Sequence, residues 1–201
     1  MVMTNSDLIL QIRISLMHVE PPIWRRVLVP CDMNLARLHD VIQVAMGWYD
    51  CHLYEFQIGG RSYGVPAPEF EDPDFKLYHA TNLKLEAVLR RGIERFSYTY
   101  DFGDNWQHEV VIEQQLPSAA SMDYPAFVEG EHRCPPEDVG GVPGFFEFLH
   151  TITDPAHEEH ERMLEWIGGR YDPDELDVYR INLGMENIAR RRRSGPRRQR
   201  T

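Results

Sequence analysis

The stretch Tyr98-Thr-Tyr-Asp-Phe-Gly-Asp-Asn-Trp-Gln-His108 sets two carboxylates, Asp101 and Asp104, and one imidazole, His108, around a glycine-containing turn. Paired carboxylates can hold a divalent cation through hard oxygen ligands, or share proton transfer as acid and base. The turn also accounts for its own residues. Gly103 can take φ > 0, while Asp101, Asp104 and Asn105 can accept hydrogen bonds from nearby backbone amides. Two carboxylates are not a complete site, so turn chemistry is the preferred reading of this pair.

Three histidines are the weak metal candidates, since zinc and iron favour imidazole. His39 falls in helical spacing beside Leu35, Leu38 and Ile42, and His52 and His108 fall on the aromatic faces of two strands. The competing reading for each is a hydrogen-bonded core residue. His157 and His160 lack the H-E-x-x-H spacing that puts two ligands one helical turn apart, and read as a solvated face. Asp101-Phe-Gly103 matches a kinase motif in letters only, because no H-R-D loop or lysine-bearing phosphate strand accompanies it. In Arg133-Cys-Pro-Pro-Glu-Asp-Val-Gly-Gly141, two prolines preset an extended entry to Glu137 and Asp138. Cys134 is a nucleophile in type, with no adjacent base. Trp24, Arg25 and Arg26 offer either a stacking and phosphate-binding patch or strand packing with surface charge.

Regular elements must position these groups. Leu8, Leu10, Ile12, Ile14 and Leu16 alternate as a half-buried strand, and Ile23 to Val29 reads as its hairpin partner. Asn34 caps an amphipathic helix that Gly47 stops. Strands are expected from His52 to Ile58 and from Arg61 to Val65, joined by Gly59-Gly60, followed by a loop from Pro66 to Asp74. Asn82 is read as the cap of a helix over 83–91. The strands Arg95–Tyr100 and Gln107–Gln114 flank the opening turn, with Phe102 sharing the core face. Residues 115–141 read as irregular. Helices follow over 145–152, from Asp154-Pro155 to Ile167, and from Asp172 toward Ala189. This order predicts an α+β fold: a mostly antiparallel or mixed sheet of hairpins, helices on one side, and a helical C-terminal region.

The chain of 201 residues is read as one domain, 1–189, with an arginine-rich, disordered tail at 190–201. Seven arginines (Arg190, Arg191, Arg192, Arg193, Arg197, Arg198 and Arg200) give the tail +7. The 14 basic and 32 acidic residues before them give the body −18. An acidic body repels nucleic acid, so any such contact belongs to the tail. Cys31, Cys51 and Cys134 form no C-x-x-C pair, which argues against a disulfide framework and against a zinc ribbon. Neither a signal peptide nor a membrane span is evident, and the expected compartment is the cytoplasm.

Pro22-Ile-Trp-Arg-Arg26, Leu38-His39, Ile42-Gln43, Met46-Gly-Trp48, His52-Leu53, Tyr98 to Asp104 with Trp106 and His108, and Cys134 to Gly141 together resemble the plasmid pRiA4b ORF-3-like family, in order, from about Leu8 to Leu183. The resemblance implies no assigned reaction. It does imply occurrence on plasmids and as passengers of insertion elements, some labelled resolvase-like, although no serine-recombinase nucleophile and arginine cluster is recognisable here. Many relatives carry extra cysteines flanking the Pro-Pro-Glu-Asp loop; their places here hold Phe127 and Val139. The leading expectation is a non-enzymatic interaction module, linked to mobile DNA, that binds an unknown protein or small ligand. Its surface would comprise Trp24, Arg25, Arg26, Asp101, Asp104, Glu137 and Asp138, with no cofactor. The alternatives are a divalent-metal hydrolase or nuclease drawing on His39, His52, His108, Asp101 and Asp104, and DNA binding by the arginine tail.

Overall fold

A computed structural model describes residues 8–66 and 76–194, with the backbone alone at 193 and 194. Strands β1 (Leu8–Leu16) and β2 (Trp24–Pro30) pair antiparallel, and helix α1 (Leu35–Met46) follows. Next come β3 (Tyr54–Ile58), β4 (Arg61–Gly64), β5 (Leu77–His79) and the short helix α2 (Leu85–Arg90). Then β6 (Arg95–Tyr100), β7 (Trp106–Pro117) and β8 (Ala126–Glu131) complete the strands, and α3 (Gly141–Thr153), α4 (His160–Ile167) and α5 (Val178–Ser194) close the chain. The sheet order is β5-β4-β3-β6-β7-β1-β2-β8, antiparallel except for the parallel β4–β5 pair. This is the expected α+β fold on a mixed sheet.

Alternation decides which face is core. Leu10, Ile12, Ile14 and Leu16 of β1 are buried, as are Phe96, Tyr98 and Tyr100 of β6 and Trp106, His108, Val110 and Ile112 of β7. On α1 the spacing of three and four buries Leu35, Leu38, Val41, Ile42, Ala45 and Met46 together. Each such side chain contributes about 1.5–3 kcal/mol by leaving water. Asn34 accepts from the Arg37 amide at 2.9 Å, and Gly47 closes the helix at φ 89°, both as read from the sequence. Helix α5 lays Ile181, Met185, Ile188 and Ala189 inward and crosses α1 at Gly184, where a Cβ would stand 2.5 Å from a Val44 methyl.

Several boundaries move. β3 starts at Tyr54, so His52 is in a bend and not on a strand face. Asn82 ends a 3₁₀ turn, and α2 begins only after Lys84. The stretch read as irregular contains the end of β7 and all of β8, which is half-exposed and therefore lacks the alternation that marks a buried strand. Asp154 accepts from the Ala156 amide in a local turn, leaving α4 to start at His160. Asp177, five residues beyond the expected start, accepts from the Arg180 amide and caps α5. Phe102, at the hairpin tip, is exposed and not core. Helix α5 carries through Arg190 to Ser194, so the first arginines of the expected tail are helical; Arg197, Arg198 and Arg200 lie outside the described residues. Most of the Pro66–Asp74 loop lies outside them too. No helix among the described residues is long and apolar enough to cross a membrane.

Candidate functional site

The tip of the β6–β7 hairpin meets the loop from Pro135 to Gly141. Asp101 and Asn105 both adopt positive φ, at 55° and 56°, a conformation that Asp and Asn tolerate better than other side chains do. The Asn105 amide donates to the Asp101 carbonyl at 2.6 Å, and the Gly103 amide to Asp101 Oδ1 at 2.9 Å. Asp104 reaches across to accept from the Gly140 amide at 3.1 Å. Gly141, at φ 67°, approaches so closely that a Cβ would stand 2.5 Å from the Asp104 carbonyl oxygen. Asp104 is therefore a latch between turn and loop.

The loop is held from beneath as well. Trp48 Nε1 donates to Pro135 O at 2.9 Å, and the Tyr171 hydroxyl to Cys134 O at 2.9 Å. Arg25, 1% exposed, donates to the carbonyls of Ala45 (2.8 Å), Trp24 (2.8 Å), Glu131 (2.7 Å) and His132 (2.7 Å). Burial, partly opposed by the nearby Cys134 and Tyr171, holds its pKa below the ordinary arginine value. Cys134 is itself buried, and burial pushes its thiol up to about 11, so it is not a ready nucleophile.

Four side chains from three separate segments converge above this platform. His52 Nε2 lies 3.0 Å from Asp138 Oδ1, 3.6 Å from Asp101 Oδ2 and 3.9 Å from Glu137 Oε2. His52, Asp101 and Asp138 can each offer a ligand atom within 4.8 Å of the others. Glu137 Oε1 is occupied by the Tyr49 amide at 2.8 Å and the Tyr100 hydroxyl at 3.1 Å. His52 Nε2 and Glu137 Oε2 are buried and make no hydrogen bond, although Asp138 Oδ1 stands 3.0 Å from the imidazole nitrogen as a charge neighbour. A second trio, Glu147, His150 and His157, lies on α3 and the loop after it. There His157 Nδ1 already accepts from the Glu159 amide at 3.1 Å.

Beside the first cluster a cleft of about 450 Å³ opens between the loop, the end of α1 and the ends of α4 and α5. Trp48, Tyr49, Trp166 and Tyr171 supply its rings, and Arg133, Arg180, Glu137, Asp138, Glu175 and Asp177 its charges. Arg133 lies over the Tyr171 ring at 4.6 Å and Arg180 over Tyr49 at 5.2 Å.

The structure thus brings Asp101, Asp104, Glu137 and Asp138 together and adds His52, but it separates the other candidates. His39 is buried between the Tyr98 hydroxyl (2.8 Å) and Asp50 (2.7 Å) and stacks on Tyr54 at 3.6 Å. His108 is fully buried, bonded to Tyr98 O at 3.3 Å, and burial pushes its pKa down to about 4. The three histidines do not share one site: His39 and His108 take the hydrogen-bonded core role. The Trp24-Arg-Arg26 patch divides because neighbours in a strand point to opposite faces. Arg25 points to the core. Trp24 and Arg26 point outward, with Arg13 at 4.4 Å and Arg26 at 5.1 Å over the indole, and Arg26 paired to Glu113 (2.6 Å) and Glu129. Arg26 is thereby spent on the sheet's own charge network. The cleft residues Trp166, Glu175 and Arg180 were not among the site residues expected from sequence, where nothing relates the ends of α4 and α5 to the loop.

A profile of the plasmid pRiA4b ORF-3-like protein family matches residues 8–180, and the chain belongs to that family. It is 40% identical over 182 residues to the uncharacterized protein y4hQ of Sinorhizobium fredii, covering 90% of this chain and 92% of that one. The crystal structure of a protein of unknown function, MM3350 from Methanosarcina mazei Go1, superposes with a TM-score of 0.77 at 34% identity, covering 86% of this chain and 96% of that one.

Proposed function

We propose that this member of the plasmid pRiA4b ORF-3-like family is a non-enzymatic binding module whose cleft takes a basic segment of a partner protein. The observation that carries this reading is the chemistry of the cleft walls. Two of its rings, Tyr171 and Tyr49, already carry guanidinium groups of the chain itself. Trp166 is 47% exposed, and its exposed face carries no cation among the described residues. A lysine or arginine placed there gains about 0.5–2 kcal/mol from the ring, depending on how far it is desolvated. Four carboxylates face two arginines across the cleft, apart from Arg25, whose donors are already used. The acidic body draws a basic partner in from a distance, and salt screens that attraction.

Trp24, Trp48 and Trp106 are buried, so Trp166 is the tryptophan positioned to report binding by fluorescence. Titration with an arginine- and lysine-rich peptide should perturb that signal saturably and lose affinity with added salt; an acidic peptide of equal length should do nothing. Trp166→Ala should abolish the optical change, and calorimetry on that variant should show weakened binding. Equal binding of both peptides, or calorimetric affinity untouched by Trp166→Ala, would overturn the reading.

A further inference from the structure

We propose that His52, Asp101 and Asp138, with Glu137 beside them, form a site for one divalent transition-metal cation, of the manganese or zinc kind, on the hairpin side of the loop. The case begins with how the buried acids are aimed. Asp101 Oδ1 accepts from the Gly103 amide, which turns Oδ2 toward His52. Glu137 Oε1 accepts from the Tyr49 amide and the Tyr100 hydroxyl, which turns Oε2 the same way. Each carboxylate is oriented by its other oxygen, as outer partners orient metal ligands. The Tyr100 ring packs edge-on to His52 at 5.9 Å and restricts the imidazole.

Two ligands at about 2.0–2.2 Å from a common ion stand roughly 3.0–3.5 Å apart. His52, Asp101 and Asp138 offer ligand atoms within 4.8 Å of one another, and the separations from His52 Nε2 to the two aspartates, 3.0 and 3.6 Å, are close to that ligand–ligand spacing; Glu137 Oε2, at 3.9 Å, stands just outside the trio. A proton on His52 does less. It provides one hydrogen on Nε2 for three carboxylates, and Glu137 Oε2 is still left buried without a partner. Leaving such a group unpaired costs about 1–3 kcal/mol, and more when it is charged. A dication accepts a lone pair from each of His52, Asp101 and Asp138 and gives the Glu137 Oε2 beside them a positive charge to face. One imidazole nitrogen among carboxylate oxygens suits manganese, iron or zinc; magnesium and calcium prefer oxygen alone. Bound there, the ion would tie the bend at His52, the hairpin tip and the loop into one unit. The exposed Glu147, His150 and His157 are the competing place for a metal, and the experiment must separate the two.

The full chain, stripped with a chelator, is titrated with Mn²⁺ followed by electron paramagnetic resonance, and with Zn²⁺ against a chromophoric chelator. Thermal melting is recorded in parallel. One ion per chain and a raised Tm are expected, with Mg²⁺ and Ca²⁺ much weaker. His52→Ala and Asp101→Asn should each weaken binding by about tenfold or more. Asn keeps the Oδ1 acceptor and tolerates positive φ, so Asp101→Asn should fold; the exposed Asp138→Asn gives the same reading should it not. His150→Ala, in the competing trio on α3, should keep full affinity. Binding that survives His52→Ala but disappears with His150→Ala would overturn the proposal in favour of the α3 trio. Absence of any Mn²⁺ or Zn²⁺ binding, or equal preference for Mg²⁺, would also overturn it.

Discussion

Replacing Arg25 by Met tests how the loop is supported. The guanidinium satisfies four carbonyl oxygens, those of Trp24, Ala45, Glu131 and His132, at 2.7–2.8 Å, in a setting only 1% exposed. Hydrogen bonds to a charged donor contribute about 1.5–3 kcal/mol each, and a buried acceptor left unpaired costs about 1–3 kcal/mol. Relaxation and removal of a buried charge offset part of this, as does the apolar contact that Met retains. A net loss of about 4 kcal/mol is therefore expected, a large part of the stability of an ordinary domain. At roughly 2–4 °C per kcal/mol for a chain of this size, Tm should fall by about 8–16 °C. Urea unfolding monitored by circular dichroism gives the free energy. Amide exchange should localise the loosening to Glu131 through Gly141 before the rest of the sheet. Arg25→Lys should recover part of the loss, since an ammonium has three donors but no planar fork. A change below about 1 kcal/mol for Arg25→Met, with exchange in the loop unaltered, would refute the assignment of Arg25 as the loop's internal support.

Two further perturbations probe the core and the latch. His108 is neutral in the fold, its pKa pushed down by burial from about 6.5 to about 4, so the unfolded chain binds the extra proton first as pH falls. The stability it contributes is complete above pH 6.5 and is lost between pH 6.5 and 4, by roughly 3 kcal/mol at most; urea midpoints across this range should slope less in His108→Gln. Gly141→Ala would force a Cβ to 2.5 Å from the Asp104 carbonyl at φ 67°, so a loss of about 2–4 kcal/mol is expected. A melting temperature equal to that of the unaltered chain would show that the turn and loop are not in that contact.

The elements with a sustained period were legible. β1, α1 and the β6–β7 hairpin bury one continuous face each, and their caps and turns follow from Asn34, Gly47 and the Asp101–Asn105 turn. β8 was not, because an edge strand with half its side chains in water has no apolar alternation to read. The starts of α4 and α5 were misplaced for a related reason. Asp-Pro at 154–155 and at 172–173 resembles a helix entry, yet Asp154 and Asp172 each close a local turn through an amide two residues on, a use of aspartate that competes with capping.

The candidate site was legible in its acids and misread in its histidines. Alternation through Tyr54, Phe56 and Ile58 extends naturally back to His52 and assigns it to the core face with His108. Termination of β3 at Tyr54 frees His52 to bend toward the hairpin tip. The same limit applies to charge. Composition counts Asp101, Asp104 and Glu137 as three negative groups available to a partner, but each has an oxygen bound to an amide of the fold. What remains is narrower and more specific: Oδ2 of Asp101, Oε2 of Glu137 and the exposed Asp138 on the His52 side, and the exposed face of Trp166 on the cleft side, where Glu175 pairs with Arg133 at 3.8 Å. Glu137 and Asp138 border both sides of the loop, so a cation held beside His52 would take charge from two of the four carboxylates that line the cleft. Occupying the first should therefore stiffen the wall of the second and weaken its pull on a basic segment, while leaving the Trp166 face exposed.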